Sequence, residues 1–175
     1  MGTTGSECRP RMIWCSHTNT PRGRKGQTMN LRMSTANRLR LVAGRIVRYP
    51  DRWDQDEYDS AGRTINQVAG EANRENDCNT AHCVAGWAVA LSPPSEVIPD
   101  PGDDNAWDTV GARQLGLAHD LARYVFYSFR PDAEAMAAFL NAVADLHPRQ
   151  RNVAHVVAND RLNDLAHQAL SGWGR

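Results

Sequence analysis

The sequence contains no apolar run long enough to cross a bilayer. Its longest, residues 83–91, has nine residues and includes a glycine, against about 20 for a membrane-spanning helix. The opening MGTTGSECRPRMIWCSH has no apolar core of the kind a secretory leader needs, so no membrane partner is expected. No phosphate loop, dinucleotide-binding glycine pattern, nucleophile elbow or zincin helix is present, and those chemistries have no signature here. Cysteine is scarce, with Cys8, Cys15, Cys78 and Cys83 alone. In a chain without a leader, four cysteines favour reduced thiols or a metal over a disulfide framework, and a cytoplasmic location. Segments of strand period are missing as well.

What is present is an ordinary globular composition, 41% apolar and 23% charged over 175 residues, enough for one domain with a core of its own. The net charge of zero conceals a polarity. Residues 1–50 hold ten Lys/Arg against the single acid Glu7, a net +9, which leaves ten basic and nineteen acidic residues, −9, in the remainder. Such a division suits a nucleic-acid arm on an acidic body, and it suits equally a tail that folds back on its own domain. Residues 1–33 are rich in Thr, Gly, Ser and Arg and have no apolar period. They read as a disordered basic tail. Internal methionines at 12, 29 and 33 also allow a start at Met29 or Met33, with the upstream part a gene-model extension.

The folded part is expected over residues 34–175, as an all-α, compact domain of five or six helices. Ser34 or Thr35 caps a first helix, whose stripe is Leu39, Val42, Ala43, Ile46 and Val47. Arg38, Arg40, Arg45 and Arg48 face away from that stripe, and Pro50 ends the run. Trp53 and Tyr58 dock the following turn on the core, and its acids can pair with the arginines of the first helix. Residues 59–77 are polar, with Ile65, Val68 and Ala69 marking a short helix or an irregular stretch. Residues 78–91, CNTAHCVAGWAVAL, read as one buried helix with Thr80 as N-cap and Asn79 in the preceding turn. Gly86 in mid-helix costs about 1 kcal/mol relative to Ala, which implies that another backbone passes close by. Residues 92–105, with four prolines, form a loop. Residues 107–115 form a helix stopped by Gly116. A further helix spans residues 118–128, with Leu121, Val125 and Phe126 inward. Another begins at Pro131 and buries Met136, Phe139, Leu140 and Val143, and a last one covers about residues 149–170.

The Tyr-Pro-Asp-Arg-Trp-Asp-Gln run after an Arg-rich helix is followed by Cys78-Asn-Thr-Ala-His-Cys-Val-Ala-Gly-Trp87. Then come Gly111-Ala-Arg-Gln-Leu-Gly-Leu117 and Val125-Phe-Tyr127. Over about residues 35–130 this resembles a group of small actinobacterial and phage proteins with a Cys-Gly-Thr-x-x-Cys-x-Ala-Gly-Trp centre. Asn79 stands where that motif has Gly. The resemblance implies a helical fold and an origin, and no activity.

The one chemically suggestive cluster is Cys78, His82 and Cys83. Zinc would need a fourth ligand, from His119, His147 or an acid, and Cys-x4-Cys is not a common knuckle spacing. A thiol nucleophile at a helix start would have a lowered pKa, but no neighbouring acid orients His82, and adjacent side chains diverge on a helix. A redox pair would prefer Cys-x-x-Cys. The plainest reading makes the thiols small buried hydrophobes and His82 a satisfied or exposed polar residue. His119, His147, His155 and His167 are isolated, and the acidic run at residues 100–105 lacks the ligand alternation of a calcium loop. The expected function is therefore a non-enzymatic protein-interaction or accessory module, meeting a protein partner through helix faces and the Pro-rich loop. The alternatives are nucleic-acid binding through Arg38, Arg40, Arg45 and Arg48, and a zinc or thiol enzyme centred on Cys78, His82 and Cys83.

Overall fold

Ser34 starts the first helix as its capping hydroxyl predicts: its Oγ accepts from the Asn37 N–H at 3.3 Å. From there α1 (Thr35–Arg48) presents Leu39, Val42, Ala43 and Ile46 to the core, whereas Val47, expected in the same stripe, is 50% exposed. The computed structural model describes residues 28–71, 80–98, 106–127, 132–146 and Asp164. Among them α1 is followed by α2 (Ile65–Val68), α3 (Val84–Leu91), α4 (Trp107–Leu115), α5 (His119–Tyr127) and α6 (Ala133–Asp145), with 3-10 turns at Pro50–Arg52 and Pro94–Glu96. The only β pairing among the described residues is an isolated bridge between Trp53 and His82. The fold is all-α, and no described helix is long and apolar enough to cross a membrane.

All eight residues of α3 are buried, and it touches α1, α2, α4 and α5, while α1 and α6 make the most extensive helix pair. A helix apolar on every side has no solvent face to offer and settles in the middle. Gly86 is required there. A Cβ at that position would lie 1.9 Å from the carbonyl oxygen of Tyr58, so the 58–59 backbone lies directly against the helix, as the mid-helix glycine implied.

Three expectations are corrected. The central helix does not begin at residue 78 with Thr80 as N-cap; it begins at Val84 with Cys83 as N-cap. The reason lies in the backbone donors. The Ala81 N–H goes to Ser60 Oγ (2.9 Å), the His82 N–H to Arg52 O (3.0 Å) and the Cys83 N–H to Glu57 O (2.7 Å). Pairing with the 52–60 loop holds residues 80–83 extended, so the helix cannot start sooner. Arg38 does not face away from the core. It is buried, and its Nη1 donates to Gln114 O at 2.6 Å. Thr35 Oγ1 donates to Gly116 O at 3.1 Å, so α1 caps the C-terminus of α4, where a cation also favours the helix dipole. Finally, the folded body does not begin at residue 34. Met29 is fully buried, and its N–H donates to Leu91 O at 3.0 Å.

Trp53 and Tyr58 pack on the core as expected. Gly116 stops α4 at φ 70°. The helix expected at residues 149–170 lies outside the described residues apart from Asp164, which is helical.

Candidate functional site

The loop from Pro50 to Arg63 positions every group of interest, because it wraps the extended entry to α3 on both sides. His82 is fully buried. Its Nδ1 lies 3.1 Å from Tyr58 O and 3.6 Å from Asp59 Oδ1, and its ring meets Trp87 edge-on at 5.1 Å. A carbonyl can only accept, so in the neutral ring Nδ1 carries the proton. Nε2, likewise buried, has no hydrogen-bond partner among the described residues. Burial lowers the His82 pKa and outweighs the Tyr58 carbonyl and Asp59, which raise it.

Asp59, Glu71 and His82 bring ligand atoms within 4.8 Å of one another, the kind of set a metal uses. Arg63 already stands there as the cation. Its Nη2 and Nε reach Asp59 Oδ1 and Oδ2 at 2.6 and 3.2 Å, its backbone N–H reaches Oδ2 at 2.8 Å, and its Nη1 reaches Glu71 Oε1 at 2.8 Å. A planar fork holding one carboxylate with two nitrogens and a second with a third suits guanidinium geometry. Burial pushes the Asp59 carboxyl up, but the Arg63 hydrogen bonds and charge overcome it and hold the group below the usual carboxylate range. The donor set fits an arginine lock better than a zinc site.

Of the proposed Cys78, His82 and Cys83 constellation, the structure describes His82 and Cys83. Cys78 lies outside the described residues. His82 faces Asp59 and Trp87, whereas Cys83 lines a separate pocket of about 170 Å³ together with Gln55, Asp56, Tyr58, Phe126 and Tyr127. Cys83 is 3% exposed. Burial pushes its thiol up to about 11, against the opposing pull of the Gly86 and Ala85 N–H groups at the start of α3. The lowered pKa expected of a cysteine at a helix start is reversed by desolvation.

Above that thiol, Gln55 closes α5. Its Nε2 donates to Val125 O at 3.2 Å and Phe126 O at 2.6 Å, which satisfies carbonyls the helix end leaves open. Tyr58 stacks on Trp107, 5.9 Å between ring centroids and 6° between planes, and its hydroxyl bonds that of Tyr127. Tyr127 is 54% exposed at the end of α5.

Of the four arginines assigned to nucleic acid, Arg38 caps α4 and Arg40 pairs with Asp145 at 2.5 Å. Arg45 and Arg48 lie with Arg52 around the Tyr49 ring, each guanidinium carbon within 5.9 Å of its centroid. His119 is exposed beside Asp120, 3.6 Å from Nδ1 to Oδ1. His147, His155, His167 and the acidic run at 100–105 lie outside the described residues. Sequence reasoning missed Asp59, Arg63, Glu71 and Gln55. Only the i,i+4 spacing of Asp59 and Arg63 offered a local signal. No family model matches the chain, and no curated protein or solved structure matches it.

Proposed function

We propose that this chain is a non-enzymatic protein-interaction module whose contact site is the pocket between the 54–58 loop and the end of α5. The observation that carries the reading is that pocket, with Tyr127 half-exposed at its rim. Its volume is that of a single large side chain, and it is too small for a nucleotide. Tyrosines are among the residues that most often anchor protein–protein contacts, with an apolar ring and a polar tip. A thiol raised to about 11 is protonated near neutrality and is poorly suited to nucleophilic attack, which weighs against the enzymatic alternative. An accessory role in an actinobacterium or its phage rests on the resemblance of the 78–87 motif alone.

The test places a photo-crosslinking residue at Tyr127 and, as a control, at Glu134, which is exposed on α6. Irradiation in cells of the source organism should yield a discrete protein adduct from position 127 and none from 134. Equal adducts from both positions, or none from either, reject the reading. Turnover of a substrate that Cys83→Ser abolishes would replace it with an enzyme.

A further inference from the structure

We propose that the 50–63 loop is an acid-released latch. Protonation of His82 lifts it from the entry to α3 and dismantles the pocket. The partner is then held near neutrality and let go in mild acid, a regulation that rests on the interaction module above. The loop serves two sites at once. Its backbone is bonded along residues 80–83: the Asp54 N–H donates to His82 O at 3.3 Å, the His82 N–H to Arg52 O at 3.0 Å, the Cys83 N–H to Glu57 O at 2.7 Å and the Ser60 N–H to Ala81 O at 3.1 Å. It also supplies Gln55, Asp56 and Tyr58 to the pocket, opposite Cys83 at the start of α3 and Phe126 and Tyr127 of α5. Tyr58 belongs to both sites. Its carbonyl accepts from His82 Nδ1 at 3.1 Å, while its ring stacks on Trp107 and its hydroxyl bonds that of Tyr127. The pocket therefore exists only while the loop is seated.

A seated loop disfavours a charged His82. The neutral ring donates from Nδ1 to the Tyr58 carbonyl, so a second proton goes to Nε2, which is buried. Of the charges that face the ring, Asp59 favours an imidazolium from 3.6 Å, but Arg63 already binds both of its oxygens. Arg63 and Arg52 oppose the new charge, and Glu71, the other acid of the cluster, is paired with Arg63 as well. Burial is the largest influence and sets the direction. An imidazolium there is accommodated by hydration, and among the described elements around it the loop is the one that yields. All eight residues of α3 are buried. The loop is regular only over its 3-10 turn and carries the exposed Asp51, Asp54, Asp56 and Glu57. Such segments open at the low end of a fold's free-energy range.

The test is amide hydrogen exchange of the isotope-labelled full chain, read as protection factors from about pH 7.5 to 5. Below the ordinary histidine value of 6.5, one proton taken up per opening should lower protection of the Ser60, His82 and Cys83 amides by up to about tenfold per pH unit. The Leu39 and Leu140 amides, inside α1 and α6, should keep theirs. His82→Gln should leave the loop amides level over the same interval. A dipyridyl disulfide, which reacts with thiols in mild acid, should label Cys83 faster in the parent than in His82→Gln at about pH 5.5, because opening uncovers that thiol. Loop protection that stays level into acid, or that falls in step with Leu39 and Leu140, overturns the proposal, and this comparison needs no variant. Equal slopes in the parent and His82→Gln overturn it too, since another group would then drive the opening. A protein adduct at Tyr127 with level loop protection defeats the latch and leaves the interaction module standing. Acid-released loop amides without an adduct do the reverse.

Discussion

At the residue scale, His82 couples the core to pH. Burial holds it below its ordinary value of 6.5, so over the interval between 6.5 and that lower value the unfolded chain binds a proton that the native chain does not. Stability therefore falls as pH drops below 6.5, by up to about 1.4 kcal/mol per pH unit. Asp59, held below its ordinary 3.8 by Arg63, adds a second loss only under about pH 3.8, where the unfolded carboxylate takes up its proton first. Urea midpoints should be flat from pH 8 to 7 and fall between 6.5 and 5. His82→Gln keeps a donor for Tyr58 O and should be less stable at pH 7 but flat over that acid interval. Parallel curves for the two proteins would show that another group titrates there. Cys83 has no part in this window, since its thiol stays protonated up to about 11.

At the scale of elements, Arg63 holds the two sides of α2 together. It binds Asp59 before the helix and Glu71 after it, and both carboxylates are buried while the Arg63 side chain is 26% exposed. Arg63→Met should cost about 3–5 kcal/mol, because it leaves buried carboxylates without their guanidinium. Adding Asp59→Asn should recover part of that loss, with a coupling of at least about 1 kcal/mol in a double-mutant cycle read by urea unfolding. A single-variant cost under about 1 kcal/mol would reduce the arrangement to a surface contact. This lock also marks where sequence reading stops. The Ser34 cap, the Leu39–Val42–Ala43–Ile46 stripe, the Gly116 stop and the close approach at Gly86 were all legible, since each is a local rule acting within one element. The 52–60 loop was not. It meets His82 and Cys83 from more than 20 residues away, with no period to reveal the pairing, and those long-range backbone bonds override Thr80 as a cap. Arg38 was misread for a related reason. A guanidinium on a polar flank reads as solvated, yet here the open carbonyls at the end of α4 draw it into the interior.

At the scale of the whole molecule, the described part of the basic half does not stand apart from the body as an arm. Arg38 and Arg40 of α1 are engaged within the fold, so the described part of the basic half contributes to the body as well as to its surface. The boundary lies earlier than composition indicates. Met29 is among the largest fully buried side chains, its N–H closes on the last residue of the central helix, and the Leu31 N–H donates to Glu96 Oε2 at 2.8 Å just beyond it. Residues 29–33 therefore act as a strap across the end of α3, although nothing in their polarity announces one. Met29→Ala in the full chain should cost about 2–5 kcal/mol, the range for emptying a core methionine site. A chain started at Thr28 should unfold in urea at the same midpoint as the full chain. One started at Met33 should be destabilised at least as much as Met29→Ala, because it loses the side chain and the hydrogen bond to Leu91 together. Equal midpoints for the chains started at 28 and 33 would place the strap outside the cooperative core and return the boundary to Ser34.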